Sequence, residues 1–448
     1  MLKHYVLLLI SLVLLAFCTT ANAQIITTIA GIGGIDTTCG RYGRVPAISC
    51  GFDDMRGIIA DRYGNYYIAD RSCGIVFKID TAGYIAIFAG GGTSMAVGIP
   101  ATDAVLSYIV DVAVDDTGNV YLPDAANYRL LKVNVHTNII SIIAGTGVFG
   151  YSGNGGPATA AQINYISGIS IDKKNNIYVC DNFRIRKVNS AGIITTIAGT
   201  GVGGYNGDGI PATIAQIYVN SSDVHRPVAD TNGNVYIPDQ QNFRVRKIDT
   251  FGIIHTIAGT GSSSYNGDGI SASAAELLDP TGVLVDKNNN IYINDRSGYR
   301  VRKINTAGII STIAGTSVLG YGLDGQLAYL SQLCIPNSIC NDTAGNMYIA
   351  DCYRIRKISA ADDVKNVINK MNIEILPNPN KGVFTVKLPD EDREGIQIKI
   401  TNSLGETIPF VYKARDTRVE LTINELKGIY FLNIRTQKNN YTNKIFIY

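Results

Sequence analysis

The chain has 448 residues, 46% of them hydrophobic and 17% charged, with a formal net charge of +2. Such a length exceeds what one core usually fills, and the composition excludes a disordered chain. Near-neutral charge gives no electrostatic case for a nucleic acid or an anionic membrane as partner.

The first segment has a cation at Lys3, an apolar run from Tyr5 to Phe17 and a small-residue site at Ala21-Asn22-Ala23. Together these read as a signal peptide over residues 1–23, cleaved before Gln24, so the mature chain is expected outside the cytoplasm. The apolar run is too short to span a bilayer and no later segment approaches that length, so no transmembrane segment is expected in the mature chain. Phe17 is bulky where a lipoprotein signal ahead of Cys18 wants a small residue.

From residue 24 the chain is repetitive. Gly64-Asn65-Tyr66-Tyr67-Ile68-Ala69-Asp70 returns as segments ending at Asp124, Asp181, Asp239, Asp295 and Asp351. The asparagines Asn65, Asn119, Asn176, Asn234, Asn290 and Asn346 step by 54, 57, 58, 56 and 56 residues, the length of a four-stranded propeller blade with one long loop. In the third repeat the strands are Gly168–Asp172, Asn176–Asp181, Arg184–Val188 and Ile193–Gly199, joined by Asn-, Ser- and Gly-containing turns. The sixth repeat stops after its third strand, Arg354–Ile358, whereas Ile25–Gly31 has the fourth-strand pattern. The N-terminal strand is therefore expected to complete the last blade and close the ring.

These repeats resemble the NHL-repeat β-propellers, in particular those with the series Ala198-Gly199-Thr200-Gly201 through Tyr205-Asn206-Gly207-Asp208-Gly209 and Pro211-Ala212-Thr213 to Gln216. The resemblance implies the fold over residues 24–359. It leaves function open, since such propellers serve as binding scaffolds, sensors and sometimes enzymes.

A polar linker over residues 360–371 precedes a different region, 372–448, whose short alternating runs predict a small immunoglobulin-like β-sandwich. It resembles the type A C-terminal sorting domain of type IX secretion through Pro377-Asn378-Pro379, the Asn402-Ser403-Leu404-Gly405 turn, Gly428-Ile429-Tyr430 and Lys444. That resemblance implies export across a bacterial outer membrane by the type IX machinery, to the medium or the cell surface. An ordinary adhesion module of the same fold is the alternative.

Cleavage would leave seven of the eight cysteines in an oxidising compartment. A hairpin centred on Ala344 brings Cys352 near Cys334, the first expected disulfide, and one pair is expected among Cys39, Cys50 and Cys73. Cys180 reads as a small buried thiol.

Three features are candidates for chemistry. Third strands carry Arg184/Arg186, Arg244/Arg246, Arg300/Arg302 and Arg354/Arg356, where the nearby aspartates Asp181, Asp239, Asp295 and Asp351 are expected to neutralise the first arginine of each pair. A basic RNA-binding face is the competing reading, and secretion argues against it. Loops around Asp208 and Asp268, with weaker versions at Asn154 and Asp324, offer hard oxygen ligands, which makes calcium the one candidate ion; each loop supplies a single carboxylate, and turn formation explains it equally. Arg56, Asp111, His225, Arg226, Thr281 and Asn337 align near one mouth of the central channel and form the candidate ligand-binding ring.

Glu276 is the only glutamate between Gln24 and Ser359, and His136, His225 and His255 are the only histidines there, which makes an acid-base or metal constellation hard to assemble. Loop tyrosines Tyr151, Tyr205, Tyr265 and Tyr321 could stack on sugars, but a chain without tryptophan is a poor carbohydrate platform. The expectation is an all-β, six-bladed propeller with four-stranded blades plus a β-sandwich. Its expected role is a noncatalytic scaffold for an extracellular protein, peptide or glycan, with no cofactor beyond the calcium candidate. A metal-dependent propeller lactonase or lyase is the enzyme alternative, and an RNA-binding propeller is the second.

Overall fold

The structure is a computed structural model, and it describes residues 24–36, 43–219, 223–359, 374–376, 382–387, 396–402, 407–415, 418–423, 428–435 and 440–447. The chain divides into two compact units, residues 1–361 and 362–448. Among the described residues the only helical elements are three-residue 3-10 turns.

The first unit contains six antiparallel sheets, one per repeat. Each runs from an inner strand through the motif strand to the third and fourth strands, as in Ile166–Ile171, Ile177–Asp181, Ile185–Val188 and Ile194–Ala198. One turn device recurs. In the third repeat Asp172 accepts the Asn176 N–H at 2.8 Å, the Asn176 side-chain amide at 2.7 Å and the Tyr178 hydroxyl at 3.0 Å. The motif asparagine and tyrosine are thus both anchored to the aspartate that ends the inner strand, a local bond set that a tight turn favours.

Side chains of these strands pack between neighbouring sheets. Tyr67, Ala69 and Val76 of the first repeat join Val112, Leu122 and Leu131 of the second in one cluster. Cys340, Tyr348 and Ala350 of the sixth join Ile58, Ile68 and Phe77 of the first. Inner strands touch in chain order, and that of the sixth repeat touches that of the first. The N-terminal strand Ile25–Ala30 pairs antiparallel with Arg354–Ile358, with Ile26 opposite Ile358 and Thr28 opposite Arg356, so it supplies the fourth strand of the sixth sheet.

The expectation of four-stranded blades needs one correction. Four of the six sheets carry a fifth, two-residue strand beyond the fourth, drawn from the long connecting loop: Val45–Pro46, Ile210–Pro211, Ile270–Ser271 and Gln326–Leu327. The second and third repeats make the same contact as single bridges at Pro100 and Pro157. The physical reason is the outer edge. A fourth strand with open N–H and C=O groups invites another chain, and a two-residue segment, ending in proline at Pro46 and Pro211, covers it without offering a long further edge.

The second unit has a four-stranded and a three-stranded sheet. Phe384, Val386, Val419 and Leu421 from one share a core with Ile400, Tyr430, Leu432 and Ile434 from the other, as face-to-face sheets require. The candidate sorting residues Gly428 and Tyr430 start one of these strands and Lys444 lies in its partner Asn440–Ile447; Pro377, Asn378 and Pro379 lie outside the described residues.

Cys334 and Cys352 form a disulfide with Cα atoms 5.7 Å apart. Cys73 is disulfide-bonded as well, while Cys50 is a free buried thiol, which removes it from the expected trio; Cys39 lies outside the described residues. Cys180 is free and fully buried, and its thiol donates to the His225 carbonyl.

Candidate functional site at the ring mouth

Strand pairing fixes which inner-strand residues share a level. Ile59, Ala113, Ser170, Val228, Leu284 and Cys340 each lie opposite the motif tyrosine. Counting back, Arg56, His225, Thr281 and Asn337 occupy one level. Asp111 and Arg226 occupy the next, with Gly57, Gly168, Gly282 and Ser338. The six candidates therefore form two layers rather than a single ring.

The deeper layer is a bridge across the axis. Arg226, from the fourth repeat, reaches Asp111 of the second through both Nε, at 3.1 Å, and Nη2. Its Nη1 donates to the Ile339 carbonyl of the sixth repeat at 3.2 Å, and Nη2 also to the Val112 carbonyl at 3.4 Å. Asp111 in turn accepts the Ile169 N–H of the third repeat at 3.0 Å. Inner strands have one unpaired edge, and the guanidinium and carboxylate satisfy its groups where no water-facing partner is at hand. Glycine makes this layer possible: a Cβ on Gly57 would stand 2.6 Å from Asp111 Cα, and one on Gly168 would overlap the His225 carbonyl. Burial disfavours the Arg226 charge, but Asp111 more than compensates and holds its pKa above the usual value.

Above the bridge lies a chain of alternating charges. Arg71 Nε bonds Asp54 at 2.6 Å, Arg56 Nε bonds Asp54 at 2.8 Å, and Arg56 Nη1 bonds Asp223 of the fourth repeat at 2.8 Å. Arg296 then joins Asp223 at 3.3 Å to Asp279 at 3.4 Å, and its Nε donates to Asn337 at 3.1 Å. Burial raises the Asp223 pKa, but Arg296 and Arg56 outweigh it and keep the carboxylate below its ordinary range. Asn337 also donates to the Met55 carbonyl, and Thr281 to the Asn337 carbonyl. His225 is fully buried, with Nε2 2.7 Å from Gln240 Oε1 and Nδ1 3.1 Å from the Asp223 carbonyl. Burial is the leading cause that keeps its pKa below the usual histidine value, against the raising effect of Gln240 and Asp223.

Sequence reasoning missed Asp54, Arg71, Asp223, Gln240, Asp279 and Arg296. A signal was present: the residue after the recurring aspartate is Arg71, Ala125, Asn182, Gln240, Arg296 and Cys352, the least repeated position beside the most repeated one. Asp223 was hidden by an insertion, since nine positions separate Ile217 from Arg226 where five separate Ile163 from Gly168.

The remaining candidates are engaged elsewhere. Arg246 and Arg302 each meet a loop aspartate, Asp208 at 2.8 Å and Asp268 at 2.9 Å, and the same carboxylates accept hydroxyls of Thr256 and Thr312 at 3.1 Å. Asp208 and Asp268 thus act as counter-ions that tie a loop to its sheet, and the described residues hold no group of three or more His, Cys, Asp or Glu side chains placed to hold a metal ion. The arginine assignment also changes. In the third and fourth repeats the second arginine, not the first, reaches the motif aspartate, Arg186 to Asp181 at 3.2 Å and Arg246 to Asp239 at 3.3 Å; Arg302 and Arg356 pair with the loop aspartates Asp268 and Asp324 instead. Side chains on alternate residues share a strand face, and only the second lies over the buried carboxylate. Both arginines of a pair instead stack on a loop tyrosine: Arg184 and Arg186 lie 3.8 and 4.7 Å from the Tyr151 centroid, and Arg244 and Arg246 lie 4.0 and 4.8 Å from that of Tyr205.

Comparison with known proteins agrees with this fold. The model of the secretion system C-terminal sorting domain matches residues 374–448, and that of the Teneurin NHL domain matches residues 148–206 and 258–322. Teneurin-4 of Mus musculus is 27% identical over 330 residues, 62% of this chain, and the chain spans only 11% of that relative's length. A structural genomics protein of unknown function from Bacteroides thetaiotaomicron superposes with a TM-score of 0.57 at 20% identity, covering 76% of each chain. An auxiliary nutrient binding protein from the same species gives a TM-score of 0.54 at 14% identity, covering 76% of this chain and 77% of that one. The sorting domain directs type IX export to the medium or the cell surface, and no helix among the described residues is long and apolar enough to cross a membrane. The chain is an NHL-repeat β-propeller protein with a C-terminal sorting domain of the type IX secretion system.

Proposed function

We propose that the six sheets act as one closed six-bladed propeller, exported by an immunoglobulin-like sorting domain, and that it binds an extracellular ligand at the ring mouth without transforming it. The observation that carries this reading is the charge chain from Arg71 to Asp279, which draws on the first, fourth and fifth repeats and preorganises a polar surface. Its acids and bases are consumed in pairs, and both ring nitrogens of His225 are engaged by Gln240 and the Asp223 carbonyl, so the groups that proton transfer would use serve one another instead. The bridge below gives the surface a floor. The superposing nutrient-binding protein of Bacteroides thetaiotaomicron is compatible with such a role, although at 14% identity it supports the fold only. A hydrolase of the lactonase or lyase kind would need a carboxylate shell, and Asp208 and Asp268 are committed to arginines. An RNA-binding face would need exposed arginines, and Arg186, Arg246, Arg302 and Arg356 are fully buried.

The test is a thermal-shift screen of the exported protein against peptides, glycans and lactones, with each hit followed by NMR of the compound itself. A ligand held only by the native state raises the melting temperature. Saturable stabilisation, abolished by Arg56→Ala and Arg296→Ala, with the compound recovered unchanged, is the expected result. Product formation at the mouth would establish an enzyme instead.

A further inference from the structure

Resting on the mouth-binding reading, we infer that the cleft between the first and second repeats takes one uncharged sugar ring, a pyranose presented by an extracellular glycan. The cleft holds about 300 Å³ and is lined by Arg71, Ser72, Gly74, Leu106, Ser107 and Tyr108. That is the low end of the range for small-molecule sites and suits a single ring.

Two anomalies sit at this cleft. Tyr108 is held at φ 56°, whereas its register equivalents Asp54, Tyr165, Asp223, Asp279 and Ile335 are not left-handed. A non-glycine residue there is strained, and such strain gathers at ligand clamps. The result is a ring 48% exposed at the mouth, where a side chain in extended backbone would follow the inner strand. The second anomaly lies directly behind. The Tyr165 ring meets Tyr108 edge-on at 6.1 Å, and its hydroxyl is buried without a hydrogen-bond partner. Such an orphan is unfavourable until something supplies the missing bond.

Charge decides the class of ligand. Arg71, Arg56 and Arg296 are balanced by Asp54, Asp223 and Asp279, so the mouth has no surplus of either sign to attract a charged peptide or a phosphate. What it does offer is planar, bidentate donors and acceptors beside an aromatic face. Vicinal hydroxyls match the first and the C–H face of a pyranose the second. The Arg71 guanidinium, 5.6 Å from the Tyr108 centroid, brings both features to one place. The loop tyrosines do not compete for this role, because arginine pairs already cover Tyr151, Tyr205 and Tyr265.

The experiment is calorimetric titration of the full exported chain with methyl α-glucoside, methyl α-mannoside and methyl β-galactoside and their linear oligosaccharides, set against one acidic and one basic peptide. At least one neutral saccharide is expected to bind with an affinity unmoved by added salt. Tyr108→Ala, at a half-exposed ring, should weaken it about tenfold or more, and Tyr165→Phe, which removes only the hydroxyl, about threefold. Far-UV circular dichroism checks that both variants are folded. Saccharide binding that survives Tyr108→Ala overturns the inference. Binding of a peptide but of no saccharide, in a salt-sensitive manner and lost in Arg296→Ala, overturns the sugar class and leaves the mouth-binding reading intact. Silence toward both classes overturns the two together.

Discussion

The first two repeats and the last four fill the same buried position by opposite means. The residue opposite the motif aliphatic is Phe77 in the first repeat and Leu131 in the second, but Arg186, Arg246, Arg302 and Arg356 in the others. All six are essentially inaccessible to solvent. Where the arginine stands, the preceding loop supplies a tyrosine, Tyr151, Tyr205 or Tyr265 against the arginine itself and Tyr321 against the neighbouring Arg354, and in three repeats an aspartate that pairs with it. The sheet therefore does not require the charge; buried ion pairs and well-packed apolar groups are near equals in stability. What the arginine adds is attachment of the loop.

The sharpest way to break this comparison is to strand one charge. Asp239→Ala leaves Arg246 buried with only its loop partner and should cost about 3–5 kcal/mol in urea unfolding. Asp70→Ala in the first repeat removes a carboxylate that accepts only backbone N–H groups, of Asp53, Asp54 and Cys73, and should cost about 1–3 kcal/mol. Equal losses would mean that the aspartate serves the backbone alone in both places.

Copying the second repeat into the fifth sharpens it. Arg302→Leu should change global stability by less than about 1.5 kcal/mol, since leucine already fills this site at Leu131. The loop around Tyr265 and Asp268, deprived of its stack at 4.9 Å and its bond at 2.9 Å, should lose hydrogen-exchange protection. Unchanged protection would show that the loop holds itself.

The smallest effect is on pH dependence. Burial, only partly offset by Arg356, raises the Asp351 carboxyl to about 7, and burial raises Asp295 to about 6. A carboxyl whose folded pKa lies above its unfolded value favours folding when protonated. Its contribution is fully present below the unfolded pKa and is lost as pH rises through about 7. Asp351→Asn, which can still accept the Cys334 and Ile335 N–H groups, should flatten the fall in melting temperature between about pH 4 and pH 7. An unaltered profile would assign the titration to another group.

These contrasts also explain what could be read in advance. Asn176, Tyr178 and Asp181 recur because one turn and one packing site recur, so periodicity exposed the sheets and the strand that closes the sixth. The mouth was only half legible for the converse reason. Asp54, Tyr108, Tyr165, Asp223, Asp279 and Ile335 share one structural level but vary between aspartate, tyrosine and isoleucine and lie ahead of the recurring strand motif, so the repeat pattern did not single them out. Arg226 and Asp111 were found, but their partnership needs the distance across the ring, which strand order alone does not supply. The arginine pairs misled because alternation places both on one face without saying which stands over the carboxylate.

The pairing of Ile26 with Ile358 sets the timetable of assembly as well as its end state. The strand that emerges first during synthesis finds its neighbour only after more than three hundred further residues have appeared. Each intermediate length is a ring with a gap, and non-local closure of this kind is slow.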